Sequence, residues 1–525
     1  MLTRRRALGK RAFGIYTSMG GFGGLLAEPD LSVTPEVSHL NILMVTSEAA
    51  PFAKSGGLAD AVSALTRALR RAGHDVRVLL PRYYDIDRAG LSALDGPLGV
   101  PMGAAEEWGA VYKTELPGSD APVYFLDHEG YFGRDGIYGP KGQGDYDDNP
   151  RRFAFLSRAA FSLCRRLGWK PDILHAHDWP TALVPVYKRY AEAAEFGAVP
   201  SVLTIHNLGY QGVYPSARFA DLGLPWESFF ASGLEHFGAM NMLKGGLTSA
   251  DRLTTVSPTY AREIQGAEQG CGLDGLLRSR SADLVGILNG VDLGDWDPKD
   301  DALIPARYGV GDMGGKATCK AALQKAFGLK EDPAVPLIGM VSRLADQKGI
   351  AELFGRDYGA AGPLCRDIAL QFAVLGSGEA WCEDELRRLS AELPNFKARV
   401  GYSEAIAHLI EAGADFFMMP SRYEPCGLNQ MYSLRYGTLP IVRRTGGLAD
   451  TVSNYDQERG GGTGFMFDNL TPRAIYDTVG WAVWAWYNRP EHIKAMRDRA
   501  MRQEFSWDSS AREYLALYAG AASGR

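Results

Sequence analysis

The sequence has little of what marks a membrane protein, a nucleic-acid binder or a disulfide scaffold. No stretch approaches the roughly 18 uninterrupted apolar residues that a bilayer span requires, and the richest run, Ile338 to Val341, is strand-sized. Membrane insertion is not expected. Basic residues are outnumbered, 56 Lys and Arg against 62 Asp and Glu, and five of them (Arg4, Arg5, Arg6, Lys10, Arg11) precede the first acid, Glu28. The rest of the chain therefore carries a net charge of −11. Nucleic acid, whose phosphates attract clustered Lys and Arg, is not an expected partner. Any anionic ligand must be held by a few local cations. The six cysteines (Cys164, Cys271, Cys319, Cys365, Cys382, Cys426) form no C-x-x-C pair, so neither a disulfide framework nor a zinc ribbon is suggested.

Nucleotide signatures are equally sparse. Gly376-Ser-Gly-Glu-Ala-Trp381 starts like a dinucleotide fingerprint but lacks its last glycine. Gly315-Lys316 is followed by Ala317, so the hydroxyl that would hold magnesium in a phosphate loop is missing. Hydride transfer and ATP hydrolysis both lose support. No H-E-x-x-H occurs, and His175-Ala-His177-Asp178 is the nearest thing to a metal cluster. A third ligand cannot be identified, so no metal is assigned.

What is present is an ordinary globular composition, 46% apolar and 22% charged over 525 residues, enough for two large domains. Residues 1–40 are glycine-rich, basic at the start and without periodicity, and read as an extension, disordered or targeting. From Leu40 the pattern becomes strand, glycine turn and helix, with further short apolar runs near 75–80, 123–126, 173–176, 201–205 and 253–256. A second series follows a polar stretch, with runs near 337–341, 370–374, 396–400, 416–419 and 439–442. This alternation predicts α/β architecture with two doubly wound, mostly parallel sheets. We place an N-terminal Rossmann-like domain at 41–288, a linker at 289–300, a second Rossmann-like domain at 301–495 and a helical segment at 496–525 that returns to the first domain. The linker and a second crossing near 490–505 are the expected hinge.

One string recurs. Lys54-Ser-Gly-Gly-Leu-Ala-Asp60 returns as Arg444-Thr-Gly-Gly-Leu-Ala-Asp450. Glycines at a strand-to-helix turn let backbone N–H groups approach a ligand, and the helix N-terminus adds partial positive charge, so each copy suits phosphate or sugar oxygens. The alternative reading is a tightly packed helix start. Arg343 and Lys348 place two cations directly after a buried strand, suited to a diphosphate. Glu424 precedes a glycine turn, Glu424-Pro-Cys-Gly-Leu428. Asp178, His206 and Asn207 sit at the carboxyl ends of predicted strands, where open α/β sheets bind ligands, and suit a polyol. Tyr131, Phe132, Tyr138 and Tyr146, in a Gly/Asp-rich loop, read equally as ligand-stacking rings or as loop packing.

At these residues the sequence closely resembles the bacterial glycogen synthases and plant starch synthases. The resemblance spans about residues 41 to 520 and rests on Lys54-Ser-Gly-Gly-Leu, His175-Ala-His-Asp-Trp179, Thr204-Ile-His-Asn207 with Tyr210-Gln-Gly212, Thr255-Val-Ser-Pro-Thr-Tyr260, Leu288-Asn-Gly-Val-Asp292, Ser342-Arg-Leu with Gln347-Lys-Gly349, Pro420-Ser-Arg-Tyr-Glu-Pro-Cys-Gly-Leu428 and Gly446-Gly-Leu. It implies a GT-B fold, two Rossmann-like domains facing a deep cleft. It also implies transfer of glucose from ADP-glucose to the non-reducing end of an α-1,4-glucan, glycogen or starch, with anomeric retention, release of ADP and no metal or cofactor.

Carried over residue by residue, Arg343 and Lys348 would bind the ADP phosphates, Glu424 would sit by the donor glucose, and His206 would lie beside the transferring sugar. Cys426, Gly427 and Leu428 would orient the donor through the backbone. Lys54, Gly56, Gly57 and Asp60 would approach it from the facing domain, Asp178 and Asn289 would contact hydroxyls, and Tyr402 would stack on adenine. The resemblance implies a cytoplasmic location in a bacterium, or a plastid if residues 1–40 are a transit peptide. The rivals are a GT-B transferase with another nucleotide-sugar donor and a non-catalytic glucan-binding homologue. A phosphorylase would need lysine-bound pyridoxal phosphate, for which there is no positive signal.

Overall fold

Apolar runs bounded by glycine and polar turns become the strands of two sheets, each wrapped by helices. The structure, a computed structural model, describes residues 38–140, 142–292, 294 and 296–523. Most of the expected N-terminal extension, and two residues of the expected linker, lie outside the described residues. From His39 onward the chain forms one compact unit.

The first sheet contains β1 (Asn41–Val45), β2 (Asp75–Pro81), β3 (Ser92–Ala93), β4 (Leu98–Met102), β5 (Ala105–Glu115), β6 (Pro122–Asp127), β7 (Ile173–His177) and β8 (Ser201–Ile205). A three-stranded antiparallel ribbon, β9 (Val213–Pro215), β10 (Glu235–His236) and β11 (Ala239–Asn241), stands apart, and β12 (Arg252–Thr255) and β13 (Leu284–Gly286) complete the main sheet. Its order is β13-β12-β8-β7-β1-β2-β6-β5-β3, with β4 paired to β5. The strands from β13 to β6 are parallel, while β3, β4 and β5 add an antiparallel edge. Sequence reading misses that edge, because β5 is half-exposed and rich in charge instead of continuously apolar.

The second sheet contains β14 (Leu337–Leu344), β15 (Gln371–Gly378), β16 (Phe396–Val400), β17 (Phe416–Met419), β18 (Leu439–Arg443) and β19 (Phe465–Phe467). It is wholly parallel, in the order β16-β15-β14-β17-β18-β19. Alternate residues enter separate cores on its two faces, Ile338, Met340, Phe372 and Phe416 on one, Leu337, Ala373, Leu375 and Phe417 on the other. Both faces are therefore covered, which explains why the sequence shows unbroken apolar runs and not alternation.

In both sheets winding reverses beside the first strand, between β1 and β7 in one and between β14 and β17 in the other. Loops leaving the carboxyl ends of those pairs diverge and leave a crevice, the place where such sheets bind ligands. The halves meet along an apolar seam of Val256, Val291, Cys426 and Met431. The two crossings lie side by side, Val291 N–H donating to Phe505 C=O at 2.8 Å. Trp296 of the linker is sandwiched between His408, 3.7 Å away by ring centroid, and Tyr432, at 4.2 Å, so the linker's far end is clamped to the second half. The last helix, Trp507–Ser523, packs on the helix Gly57–Arg71 of the first half, and Tyr518 reaches His175 at 2.8 Å.

A reciprocal pair of caps also joins the halves. Asp450, in the short helix Gly446–Thr451, accepts from Ser257 Oγ (2.5 Å), Thr259 N–H (2.9 Å) and Thr259 Oγ1 (2.6 Å) at the start of the helix Pro258–Glu263. Glu263, at the end of that helix, accepts the Gly446 N–H at 3.0 Å. Each helix thus supplies the carboxylate that the other's N-terminal amides need. Asp450→Ala is expected to cost about 2 kcal/mol, the scale of a lost cap plus a charge-assisted hydrogen bond, and to lower the urea midpoint followed by tryptophan fluorescence. An unchanged midpoint would remove this contact from the account of how the halves are held.

Candidate functional site

The crevice of the second sheet is a cavity of about 190 Å³ lined by Met340, Val341, Ser342 and Arg343 from the end of β14, by Met418 to Ser421 at and just past the end of β17, and by Lys348, Glu424, Gly427, Leu428 and Asn429. Five residues singled out from sequence, Arg343, Lys348, Glu424, Gly427 and Leu428, meet here. Lys348 Nζ lies 2.5 Å from Glu424 Oε2, and the same oxygen accepts from Ser421 Oγ at 2.8 Å. Arg343 is exposed beside them, its guanidinium 3.4 Å from Gln347 Oε1. Asn429 Nδ2, at the start of the helix Asn429–Arg435, donates to Val341 C=O at 2.8 Å, tying that helix to the end of β14. Gly427 is left-handed (φ +72°), and a Cβ there would lie 2.5 Å from Gln430 Oε1 and 3.1 Å from Glu424 Cγ, so the tight turn beside the carboxylate requires glycine. Two cations against one carboxylate around a half-enclosed space favour an anionic ligand.

The crevice of the first sheet is built differently. Asp178, just past β7, is held left-handed (φ 57°), a conformation Asp tolerates better than most side chains, and its Oδ1 accepts the His206 N–H at 2.6 Å and the Asn207 N–H at 3.4 Å. Burial pushes its carboxyl up to about 7 despite those two donors. His206 lies 3.2 Å from His177 through their ring nitrogens, and burial lowers its pKa to about 3, so at neutral pH the ring is an uncharged hydrogen-bonding group. His175 and His177 face the same side, as the strand period requires. Both ring nitrogens of His175 are used, by Tyr518 OH and by Thr204 Oγ1 at 2.6 Å, so His175 is built for packing, whereas His177 Nε2 is buried without a hydrogen-bond partner. Asn207 donates a hydrogen bond to Tyr423 of the second half, which also has Arg343 as a charged neighbour. That contact links the two crevices.

The two copies of the glycine string have opposite fates. In the first copy, Glu48, a buried carboxylate, accepts from Ser55 N–H (2.5 Å), Ser55 Oγ (2.7 Å), Gly56 N–H (3.3 Å) and Tyr138 OH (2.5 Å). The Cβ positions of Gly56 and Gly57 open onto free space, and Lys54 and Asp60 form an exposed pair at 2.8 Å, a contact too weak to bar either from a ligand. In the second copy a Cβ on Gly446 would strike Glu424 C=O at 1.9 Å, and one on Gly447 would strike Cys426 C=O at 2.0 Å. Arg444 pairs with Asp468 at 2.8 Å. The second copy is packing that buttresses the Glu424 loop, whereas the first keeps an open face.

Other residues fall elsewhere. Asn289 is buried in the seam, its N–H bonded to the Cys426 thiol, and burial raises that thiol's pKa to about 12. Tyr402 follows β16, is 81% exposed and lies outside the cavity lining. The loop aromatics resolve toward packing: Phe132 is buried, Tyr131 stacks on His128 at 4.1 Å, Tyr138 is hydrogen-bonded to Glu48, and Arg134 lies 4.2 Å over Tyr146. Sequence reading passed over Glu48 and Tyr423. An acid directly after a buried strand, with no neighbouring base, was the available signal for Glu48.

Residues 41–279 match the family of starch synthase catalytic domains, and residues 323–498 match glycosyl transferases group 1. A glycogen synthase of Treponema denticola is 56% identical over 92% of this chain and 98% of its own length. Glycogen synthase 1 of Geobacter metallireducens is 50% identical over 92% of this chain and 96% of its own. The catalytic domain of starch synthase IV from Arabidopsis thaliana, solved with ADP and acarbose, superposes with a TM-score of 0.81 at 32% identity, covering 93% of this chain and all of that one. A sucrose-phosphate synthase from Thermosynechococcus elongatus, 15% identical with a TM-score of 0.55 over 92% of this chain and all of its own, shares the fold.

The buried imidazoles set a pH dependence. Burial lowers the pKa of His175 from 6.5 to about 3, so between those values the unfolded chain binds a proton that the folded chain refuses, and stability is lost as pH falls below 6.5. Asp178 acts oppositely, its contribution declining as pH rises from 3.8 toward 7. His175→Gln keeps hydrogen-bonding groups for Tyr518 and Thr204 but cannot titrate. It is expected to flatten the fall in unfolding free energy below pH 6.5 by about 1.4 kcal/mol per pH unit, measured by urea denaturation from pH 6.5 to 4.5. An unchanged slope would place the acid sensitivity elsewhere.

Proposed function

This chain belongs to the family of bacterial glycogen synthases and plant starch synthases, and on that premise we propose that its donor is ADP-glucose and that Arg343, Lys348 and Glu424 carry the chemistry. It is a glycosyltransferase of the GT-B fold that extends a glycogen- or starch-type glucan from a nucleotide-activated sugar. Among the described residues no helix is long and apolar enough to cross a membrane.

The observation that carries the reading is the meeting of Lys348, Arg343 and Glu424 around one cavity at the crevice of the second sheet. Cleavage of the anomeric C–O bond leaves positive charge on the sugar and negative charge on the departing diphosphate. Cations that meet the second charge, and a carboxylate near the first, bind the transition state more strongly than the ground state. In the free protein Lys348 is held by Glu424. An incoming diphosphate offers Lys348 a stronger partner and leaves the carboxylate to face the sugar. Retention follows if the acceptor hydroxyl enters on the face the diphosphate leaves, giving its proton to a departing phosphate oxygen as the electron pair of the broken bond passes to ADP. Neutral His206 serves as a hydrogen-bonding group to the transferring sugar, and the open Lys54-Ser-Gly-Gly turn meets the donor once the halves approach. Closure also keeps water, a competing acceptor, from the anomeric carbon.

Incubation with glycogen and ADP-glucose is expected to release ADP, with UDP-glucose a much poorer donor and EDTA without effect. Equal or faster turnover of UDP-glucose would overturn the donor assignment. Arg343→Ala and Lys348→Ala are each expected to lower kcat/KM by about 100-fold or more, the scale of a lost charge-stabilising group. Glu424→Gln is expected to lower kcat far more than donor affinity; equal losses in both would make Glu424 a binding residue.

A further inference from the structure

The hairpin joining β10 to β11 turns on two residues, Phe237 and Gly238, both left-handed at φ 50° and φ 80°. Such a turn favours Asn-Gly, because most side chains are strained at its first position and Asn is one of the few that tolerate it. Here that position holds a phenylalanine that is 89% exposed, the most exposed of the large apolar side chains among the described residues. Folding alone favours neither the conformation nor the exposure of that ring.

The mounting is rigid. Glu235 accepts the Gly238 N–H at 2.8 Å. Lys244 Nζ donates to Ala231 C=O at 2.6 Å and also to Glu235 C=O, and Asn241 Nδ2 donates to Gln211 Oε1 at 2.7 Å. Gln211 in turn donates to Cys271 C=O at 3.0 Å and to Leu208 C=O at 3.1 Å, on the loop that follows His206 and Asn207. Cys271 and Tyr210 are electrostatic neighbours of Tyr423, which bonds Asn207. His236 stands against Gly272, and its ring packs on Phe237 with centroids 4.6 Å apart. A continuous hydrogen-bonded path therefore runs from the first crevice to the hairpin tip. Trp226 and Phe230 are exposed on the segment leading into β10, Trp226 stacked on Phe229 at 4.8 Å and so fixed in place.

We propose that the strained tip at Phe237, with Trp226 and Phe230 behind it, is an aromatic rest for the acceptor glucan beyond the sugars held in the crevice. Pyranose rings present flat C–H faces that stack on aromatic rings, and single exposed rings on a rigid mounting suit a chain of sugars better than a compact apolar partner. The proposal rests on the glucan-synthase reading, and deepens it by adding a contact that senses chain length.

Phe237→Asn supplies the residue the turn favours while deleting the ring, so a loss of function cannot come from misfolding. Its melting temperature is expected to equal or exceed that of the parent. KM for glycogen is expected to rise about fivefold to tenfold, the scale of one lost stacking contact. KM for maltotriose, KM for ADP-glucose and kcat should hold, and Phe237→Tyr should restore the glycogen KM. An unchanged glycogen KM in Phe237→Asn overturns the proposal, as does a concentration-dependent dimer of the parent that disappears in this variant while KM holds, which would assign the ring to a second copy. If the parent protein fails to elongate glycogen at all, it is the synthase reading that fails. Co-sedimentation of parent and variant with glycogen then decides the hairpin separately, equal retention counting against it.

Discussion

The contact between Lys348 and Glu424 is the interaction around which the site is arranged. An ammonium and a carboxylate 2.5 Å apart in a half-enclosed crevice neutralise each other only until a better anion arrives, and a diphosphate is such an anion. A pair of this kind lowers the cost of keeping both charges out of bulk water in the free protein. In the proposed function it also keeps a cation waiting where leaving-group charge develops. Everything adjacent serves that placement: Ser421 fixes the carboxylate, Asn429 ties the following helix to the end of β14, and the Gly446-Gly447 backbone presses against the loop from behind.

The winding of the two sheets supplies the setting. Each reverses beside its first strand, so each opens its crevice at the same end of its own fold. The second crevice is lined with charge, while the first holds neutral imidazoles and a carboxyl whose pKa burial has raised to about 7. In the proposed function that contrast divides the labour, with an anion on one side and hydroxyl groups on the other. Tyr423 bonding Asn207 brings the two within reach. The reciprocal caps of Asp450 and Glu263, and the pairing of Val291 with Phe505, confine any relative motion of the halves to a seam.

Much of this was legible in the sequence because parallel strands buried on both faces must be apolar throughout. The runs at 173–176, 201–205, 337–341 and 416–419 carry that signature and their strands lie there. The cations after β14 and the acid after β17 were legible for a related reason, since charge at the end of a buried strand has few uses other than function. What escaped notice depends on tertiary partners. The edge strand β5 alternates exposure and so resembles a loop, Glu48 needs the distant turn at Ser55 to reveal its task, and Tyr423 needs Asn207 from the other half. The loop aromatics show the reverse error, because composition cannot tell a ring offered to a ligand from one stacked on His128 or covered by Arg134.

The repeated glycine string shows why local sequence stops short of function. Both copies begin a helix, both place an oxygen-bearing side chain before two glycines, and both receive a carboxylate at their first amides, Glu48 in one and Glu263 in the other. The difference lies in what stands opposite the missing Cβ atoms. At Gly56 and Gly57 there is open space, so the freedom of glycine is available to a ligand. At Gly446 and Gly447 there is the backbone of Glu424 and Cys426, so the same freedom is consumed by packing. One motif thus yields an open surface in one half and, in the other, the support that holds the Glu424 loop in place. Which of the two it becomes is decided by the neighbouring chain that the fold brings to it.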